Sequence, residues 1–481
     1  MSNISTWTKR AYAIAAGGVL IGTLAGCNVG PKYKRPAYQA PAAFRGPDDA
    51  AIASEAKNSL GDQQWAQVFR EPELQALITR ALTNNYDLRI AAQHIAEQRA
   101  QVQITRAQQF PTVSVGGSGV GADFDSSSFG TGSGSGSGIT SPLAIGSINV
   151  SAAWTPDFWG LYRKQTAAAR AVLLAQTWAQ RAVRLSLVQD VVTDYLQLRA
   201  LDHQLEITRQ TIKARQDSVD LTKALTDGGS SPLSDLRQAE QLLYTATSQV
   251  PQLEQQIQVE ENALTLLLGE NPGPVAHTDP NALTPPPQDL PTGIPSQLLE
   301  RRPDIQQAEA TLIAANAQIG VARAQFFPQL TISASAGTGG NSFASLVDSS
   351  SKTIYGIGSL SQPIFQGGKL RGQLNLAKET QQEDVLAYQK AITTGFHDVS
   401  NALIALNKQR AYREQQEKLV AAAQDSTRLA RLRYQGGATA YLEVLTTDTA
   451  LFTAQLNLVT AQQGEALTLV QLYTALGGGW Q

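Results

Sequence analysis

The stretch Phe327-Pro328-Gln329-Leu330-Thr331-Ile332-Ser333-Ala334-Ser335-Ala336 decides the fold, because a helix and a strand meet in it. Upstream, Leu298 to Phe326 has helical periodicity, and Pro328 stops it, since a proline disfavours helical geometry in the residue before it. Downstream, Leu330, Ile332, Ala334 and Ala336 alternate with polar residues, the pattern of a half-buried strand. Ile354 to Phe365 is predicted to return as the hairpin partner across the Gly- and Ser-rich loop Gly337 to Ser351.

The same programme runs once before. A helix predicted from Glu73 to Gln109 is stopped by Phe110-Pro111, and Val113 and Val115 alternate on one strand while Ile148, Val150, Ala152 and Trp154 alternate on the next. The intervening Gly116 to Gly146, with the run Gly132-Ser-Gly-Ser-Gly-Ser-Gly138, has too little apolar surface to pack and reads as a surface loop. Each hairpin leads into a long helix, Leu161 to Thr226 and Gly368 to Tyr434, the first of roughly 95 to 100 Å at 1.5 Å per residue. Val191, Leu198, Leu205, Ile212 and Val219 recur every seventh residue, a coiled-coil seam. Gly228-Gly229 and Gly436-Gly437 end these helices. A return helix then starts at Pro232 and reaches Leu268-Gly269, with a kink predicted at Pro251, and its twin runs from Tyr441 to Leu476-Gly477. Phe158-Trp159-Gly160, Gly228-Gly229 and Leu268-Gly269 recur as Phe365-Gln366-Gly367, Gly436-Gly437 and Leu476-Gly477, at offsets of 207, 208 and 208 residues. Such agreement marks a duplication.

Around this core the chain divides into a leader (1–26), a tether (27–60), a first repeat (61–271, hairpin 111–158), a Pro-rich linker (272–295) and a second repeat (296–481, hairpin 328–366). In the leader, Lys9 and Arg10 precede an apolar run too short for a membrane span, which closes on Leu24-Ala25-Gly26-Cys27. Cys27 is the one cysteine in 481 residues, so no internal disulfide or thiolate metal cluster is possible, and it stands where a bacterial lipoprotein is acylated. Asn28 follows, and resemblance to lipoproteins in general implies sorting to the outer membrane. Without the leader, 36 basic side chains face 40 acidic ones, a formal charge of about −4 that offers nothing to nucleic acid.

No apolar stretch after Leu24 is long enough for a spanning helix, so strands must do any spanning. Four strands per chain cannot close a barrel, because the smallest membrane barrels need about eight. Copies must therefore combine, since open sheet edges in lipid leave backbone groups unpaired. A trimer supplies twelve strands. The long helices, studded with Arg, Lys, Asp and Gln, belong in the periplasm. The fold class is thus an α+β membrane protein, a long helical coiled-coil barrel plus four strands per chain that close as a twelve-stranded trimeric β-barrel. A soluble coiled coil with incidental hairpins would leave the export signal, the alternation and the duplication unexplained.

Enzyme chemistry finds no support. His94, His203, His277 and His397 are scattered, and neither a nucleophile motif nor a phosphate loop occurs, so no catalytic residue, cofactor or metal site is expected. Asp190 and Asp194 lie one helical turn apart, the pattern of a solvated helix face.

Gly30-Pro31-Lys32-Tyr33-Lys34-Arg35-Pro36, Leu299-Glu-Arg-Arg-Pro-Asp-Ile305 with Ala308-Glu309, and Ala324-Gln-Phe-Phe-Pro-Gln-Leu330 together resemble the outer-membrane factor family, the TolC and OprM-like efflux outlets of the NodT lipoprotein branch. The resemblance covers essentially the whole mature chain. It implies a homotrimeric barrel in the outer-membrane lipid, continued by a twelve-helix periplasmic tunnel. It also implies a periplasmic adaptor and an inner-membrane pump, commonly of the resistance-nodulation-division type, with the chain as passive conduit. In such proteins the helix-turn-helix tips form a gate. Tyr434 matches the gating tyrosine, Asp235 its carboxylate partner, Glu443 an inward carboxylate and Leu442 an apolar ring. Thr446 stands where an Asp ring is usual and Thr439 where some members place a gating Arg, with Asp448 near enough to replace the ring in part. Gly228, Gly229, Gly436 and Gly437 match the adaptor-docking tips. The structural alternatives are that Tyr434 packs at a helix end, Asp235 caps the helix begun at Pro232 and Glu443 is solvated. Two further functional readings are the outlet of a type I protein secretion system and a non-conducting structural lipoprotein.

Overall fold

The computed structural model describes residues 29–46, 51–52, 59–122, 143–276, 293, 295–340, 348 and 351–480. The leader, Cys27, the glycine-serine run 132–138 and most of the linker lie outside them. In chain order the strands are β1 (Phe44–Arg45), β2 (Ala51–Ile52), β3 (Thr112–Ala122), β4 (Leu143–Trp154), β5 (Gln329–Gly340) and β6 (Lys352–Ser361). The helices of more than one turn are α1 (Pro72–Asn84), α2 (Tyr86–Ala107), α3 (Leu161–Asp227), α4 (Leu233–Thr247), α5 (Gln249–Leu267), α6 (Pro303–Ala324), α7 (Lys369–Gln435) and α8 (Tyr441–Ala475). The contacts divide into two compact units, one of 1–35, 96–174 and 310–386, the other of 36–95, 175–309 and 387–481.

The first unit contains the antiparallel sheet β3-β4-β5-β6. Its register places Val115 opposite Val150, Val150 opposite Ala336 and Ala336 opposite Ile354, so the alternating apolar residues of β3, β4 and β5 gather on one face with Ile354 and Leu360 of β6. Those apolar side chains meet no core: Val113 is 70% exposed, Val115 74% and Ile354 85%. The other face is rich in serine, with Ser114 against Ser151 at 2.8 Å and Ser118 against Ser147 at 2.7 Å, and at β6 it also carries Tyr355 and Ile357, opposite Ser335 and Ser333. β6 ends at Ser361, short of the predicted Phe365, because Pro363 has no N–H to extend a ladder. The bends from strand to helix are held by aromatics: Trp159 stacks on Phe327 at 4.7 Å, and its indole N–H donates to the Pro328 carbonyl at 2.7 Å. Just after the tether begins, the Val29 N–H donates to the Trp159 carbonyl at 3.3 Å and Asn316 donates to the Pro31 carbonyl. Between them Gly30 has φ +136°, and a Cβ there would lie 2.7 Å from the Gly320 Cα.

The second unit is built on helical seams. Val191, Leu198, Leu205 and Val219 are buried and Ile212 partly so, the heptad read from the sequence. Leu201 and Leu205 pack on Leu253 with Val250 and Ile257. The predicted helix Leu298 to Phe326 breaks at Arg302, which is held extended before Pro303 between the single turn Leu298–Arg301 and α6, and two more predicted helices are interrupted. The first breaks at Asn85, whose side-chain oxygen accepts the Leu88 N–H at 3.0 Å and caps α2, while its amide donates to the Leu267 carbonyl. The other breaks at Ser248, three residues before Pro251, whose missing N–H leaves the Thr247 carbonyl without its i+4 donor. The resemblance motif around Pro303 serves the packing: Arg302 donates to Asp304, Asp398 and the Ala475 carbonyl. Trp480 closes the unit, its ring 4.6 Å from the Arg181 guanidinium, which also lies 4.1 Å from Trp178.

Candidate functional site

Both long helices turn at their double glycines by the same backbone device. Gly229 and Gly437 hold φ of +73° and +68°, in the left-handed region where glycine carries no penalty. Ser230 N–H then donates to Leu225 and Ala438 N–H to Arg433, each across five residues, which satisfies the terminal carbonyls of α3 and α7. Gly269 and Gly477 repeat the arrangement at the ends of α5 and α8, with φ of +69° and +80°.

The two tips meet over an apolar cluster of Val219, Leu236, Ala239, Leu243, Ala430, Tyr441 and Val444, with Tyr434 packed against it. Tyr434 and Tyr441 meet edge to face at 5.2 Å. Burial foremost, and then the charge of Asp448, pushes the Tyr441 phenol up to about 12. Tyr434 and Asp235 are brought together through a third residue rather than by a hydrogen bond of their own. Ser231 lies between them: its hydroxyl donates to the Asp235 carboxylate at 3.0 Å and lies 3.5 Å from the Tyr434 hydroxyl. Helix α4 has no side-chain cap, which removes the capping role considered for Asp235. Glu443, in the first turn of α8, accepts from Arg433 at 2.8 Å and from the Thr439 hydroxyl, so it is paired within its own tip rather than free in solvent. Leu442 is 61% exposed. Thr446 is exposed too, its hydroxyl returned to the Leu442 carbonyl.

Asp448 corrects the expectation that it stands in for a charge ring at Thr446. It is buried and accepts from Arg215 at 2.8 Å and from Arg431 at 2.7 Å. Arg215 is spent inward as well, donating to the Leu242 carbonyl and lying 5.0 Å from the Phe452 ring. Ser231, Arg215 and Arg431 escaped the sequence reading. Arg215 carried a signal: it falls between Ile212 and Val219 of the seam, and a cation on a buried face requires a partner.

Asp190 and Asp194 also differ from a simple solvated face. Burial foremost, with the Asp190 charge added, pushes the half-buried Asp194 carboxyl up to about 6. Burial, with the Asp194 charge added, pushes Glu260 on α5 up to about 7. Among the described residues no group of His, Cys, Asp and Glu is gathered to hold a metal, and no helix is long and apolar enough to cross a membrane.

The profile described as "Outer membrane efflux protein" matches residues 77–270 and 294–478. The toluene efflux pump outer membrane protein TtgC of Pseudomonas putida is 35% identical over 479 residues, 98% of this chain and 96% of that protein. The cation efflux system protein CusC of Escherichia coli is 33% identical over 457 residues, 95% and 97% of the two chains. A crystal structure of CusC, from work on folding and transmembrane channel formation, superposes with a TM-score of 0.81 at 31% identity, covering 94% of this chain and 99% of that one.

Proposed function

The chain belongs to the outer membrane efflux protein family, and on that premise we propose that three copies form the exit duct of a tripartite efflux assembly. The four-stranded sheet carries this reading. It ends in unpaired edges at β3 and β6 and presents one exposed apolar face and one serine-rich face. A lone chain in lipid would leave both edges unsatisfied at several kcal/mol per group. Twelve strands from three chains close the edges, turn the valines to lipid and the serines to a lumen.

In this reading the helical tips face the periplasm. The Tyr434-Ser231-Asp235 chain, which links the α3–α4 tip to the α7–α8 tip, is the latch of a gate. Leu442 and Glu443 line its approach, and Thr446 there adds no charge. A periplasmic adaptor docks on the Gly228-Gly229 and Gly436-Gly437 turns, and an inner-membrane pump of the resistance-nodulation-division type supplies the driving force. Cys27 carries the lipid anchor. No step of chemistry falls to this chain. TtgC and CusC are named for toluene and for cations at nearly equal identity, which favours a small-molecule conduit whose cargo is chosen upstream over an outlet for secreted proteins.

Planar-bilayer recording of the detergent-purified protein, beside its native mass, tests the proposal. Trimer-sized particles with stepwise conductance that rises in the Asp235→Ala/Tyr434→Phe variant are expected. A non-conducting protein would favour the structural lipoprotein instead, and unchanged conductance in the variant would remove these residues from the gate.

A further inference from the structure

The duplication carries more than a count of strands, because one contact between the two halves is already visible inside the chain. β4 of the first repeat pairs with β5 of the second, with Ser151 opposite Ser335. If copies meet as the halves do, β6 must pair with β3 of a neighbour in the equivalent register. Strand directions allow it: every neighbouring pair in the sheet is antiparallel, so β3 and β6 run in opposite senses.

Equivalent positions follow from the two hairpins. Arg106-Ala107-Gln108 and Pro111 recur as Arg323-Ala324-Gln325 and Pro328, which makes Thr112 the counterpart of Gln329 and Ser118 the counterpart of Ser335. Thr112 stands opposite Ala153, and Gln329 opposite Ser361. Ser361 is therefore the counterpart of Ala153, and two residues earlier Ser359 is the counterpart of Ser151. Strand β6 has one residue fewer than β4 between this point and its proline, Pro363 against Pro156, so the ladder rather than the bend fixes the match.

Resting on the three-copy reading above, we infer that the seam between copies places Ser359 of one chain directly opposite Ser118 of the next. This register repeats across copies the serine pair that joins the halves, Ser151 to Ser335. It continues the polar row in which Ser118 already meets Ser147 at 2.7 Å. It also sets Leu360 opposite Gly117. Leu360 stands opposite Leu330, and Gly117 opposite Ile148, on the exposed apolar face of their own sheet. A slip of one residue would set Leu360 against Gly116 or Ser118, on the serine face of the next chain, because successive strand residues point to opposite sides.

The test is oxidative cross-linking of the full-length Ser118→Cys/Ser359→Cys protein in outer membranes, read on a non-reducing denaturing gel. Opposed Cβ atoms lie about 4.5–5.5 Å apart against about 7–8 Å for diagonal neighbours. A reducible three-chain species is therefore expected, forming about tenfold faster than in Ser118→Cys/Gly358→Cys or Ser118→Cys/Ile357→Cys. Each single variant controls for Cys27 and should give none. Faster linking of either slipped pair overturns the register. Native mass of the uncross-linked protein separates the two claims: a trimer without the Ser118–Ser359 link overturns the register alone, and a monomer overturns the three-copy reading with it.

Discussion

Arg215 and Asp448 form an ion pair of 2.8 Å with both side chains less than a tenth exposed, and it joins a first-repeat helix to a second-repeat helix below the tips. Replacing Asp448 by Ala would leave the Arg215 guanidinium buried without its anion. The expected loss is about 3–5 kcal/mol. Asp425→Ala, which removes a pair about 60% exposed at both ends, should cost less than about 1 kcal/mol. Urea unfolding in detergent compares the two. Equal losses would show that the buried pair does not hold the repeats together.

Ser231 makes a sharper probe of the latch than either residue it joins. Ser231→Ala deletes one hydroxyl and leaves the left-handed turn at Gly229 untouched. Single-channel conductance should rise, as is expected of Tyr434→Phe, and the double variant should add little, because both cut the same chain of contacts. Fully additive increases would mean that Tyr434 and Ser231 act separately.

The raised acids give stability a pH slope with a definite sign. Asp194 at about 6 and Glu260 at about 7 bind protons more tightly in the folded chain than in the unfolded one. Their stabilising contribution is complete below their ordinary values near 4 and is lost as the pH rises through about 6 to 7. The urea midpoint should fall between about pH 5 and pH 8, and Asp194→Asn with Glu260→Gln should flatten this part of the profile. A slope left intact in the double variant would assign it to other groups.

Two glycines in contact should respond unequally to alanine. Gly30→Ala forces a φ of +136° on a residue with a Cβ and drives that atom to 2.7 Å from backbone. The expected cost is about 1–3 kcal/mol. At Gly320→Ala the nearest atoms to the new Cβ belong to the Lys164 side chain, at 3.0 Å, which can swing away. Thermal midpoints should therefore fall more for Gly30→Ala. The reverse order would place the constraint on the helix rather than on the tether.

The fold was legible wherever periodicity and punctuation agreed. Pro111, Pro328 and the double glycines stop helices by backbone geometry alone, and the heptad from Val191 to Val219 buries as written. Local sequence was silent where long-range partners decide. Asn85 breaks a periodic helix because its amide is claimed by Leu267, 182 residues away. Asp448 follows Thr446 by two residues, close in sequence, yet two residues turn about 200° around a helix, and the carboxylate faces inward to Arg215. Ser231 gave no sign of its own beyond its place before Pro232, since its meaning depends on Tyr434 across the duplication.

The hydrogen bond from Val29 to the Trp159 carbonyl sets a vertical scale. If Cys27 carries the proposed lipid anchor, the two residues up to Val29 span at most about 7 Å, so its acyl chains would enter the bilayer near the bend where β4 gives way to α3. Such an anchor would work as a depth stop. Each copy would float at the same height before it meets another, with β3 and β6 already side by side at the matching rung, and assembly would become a search in two dimensions instead of three.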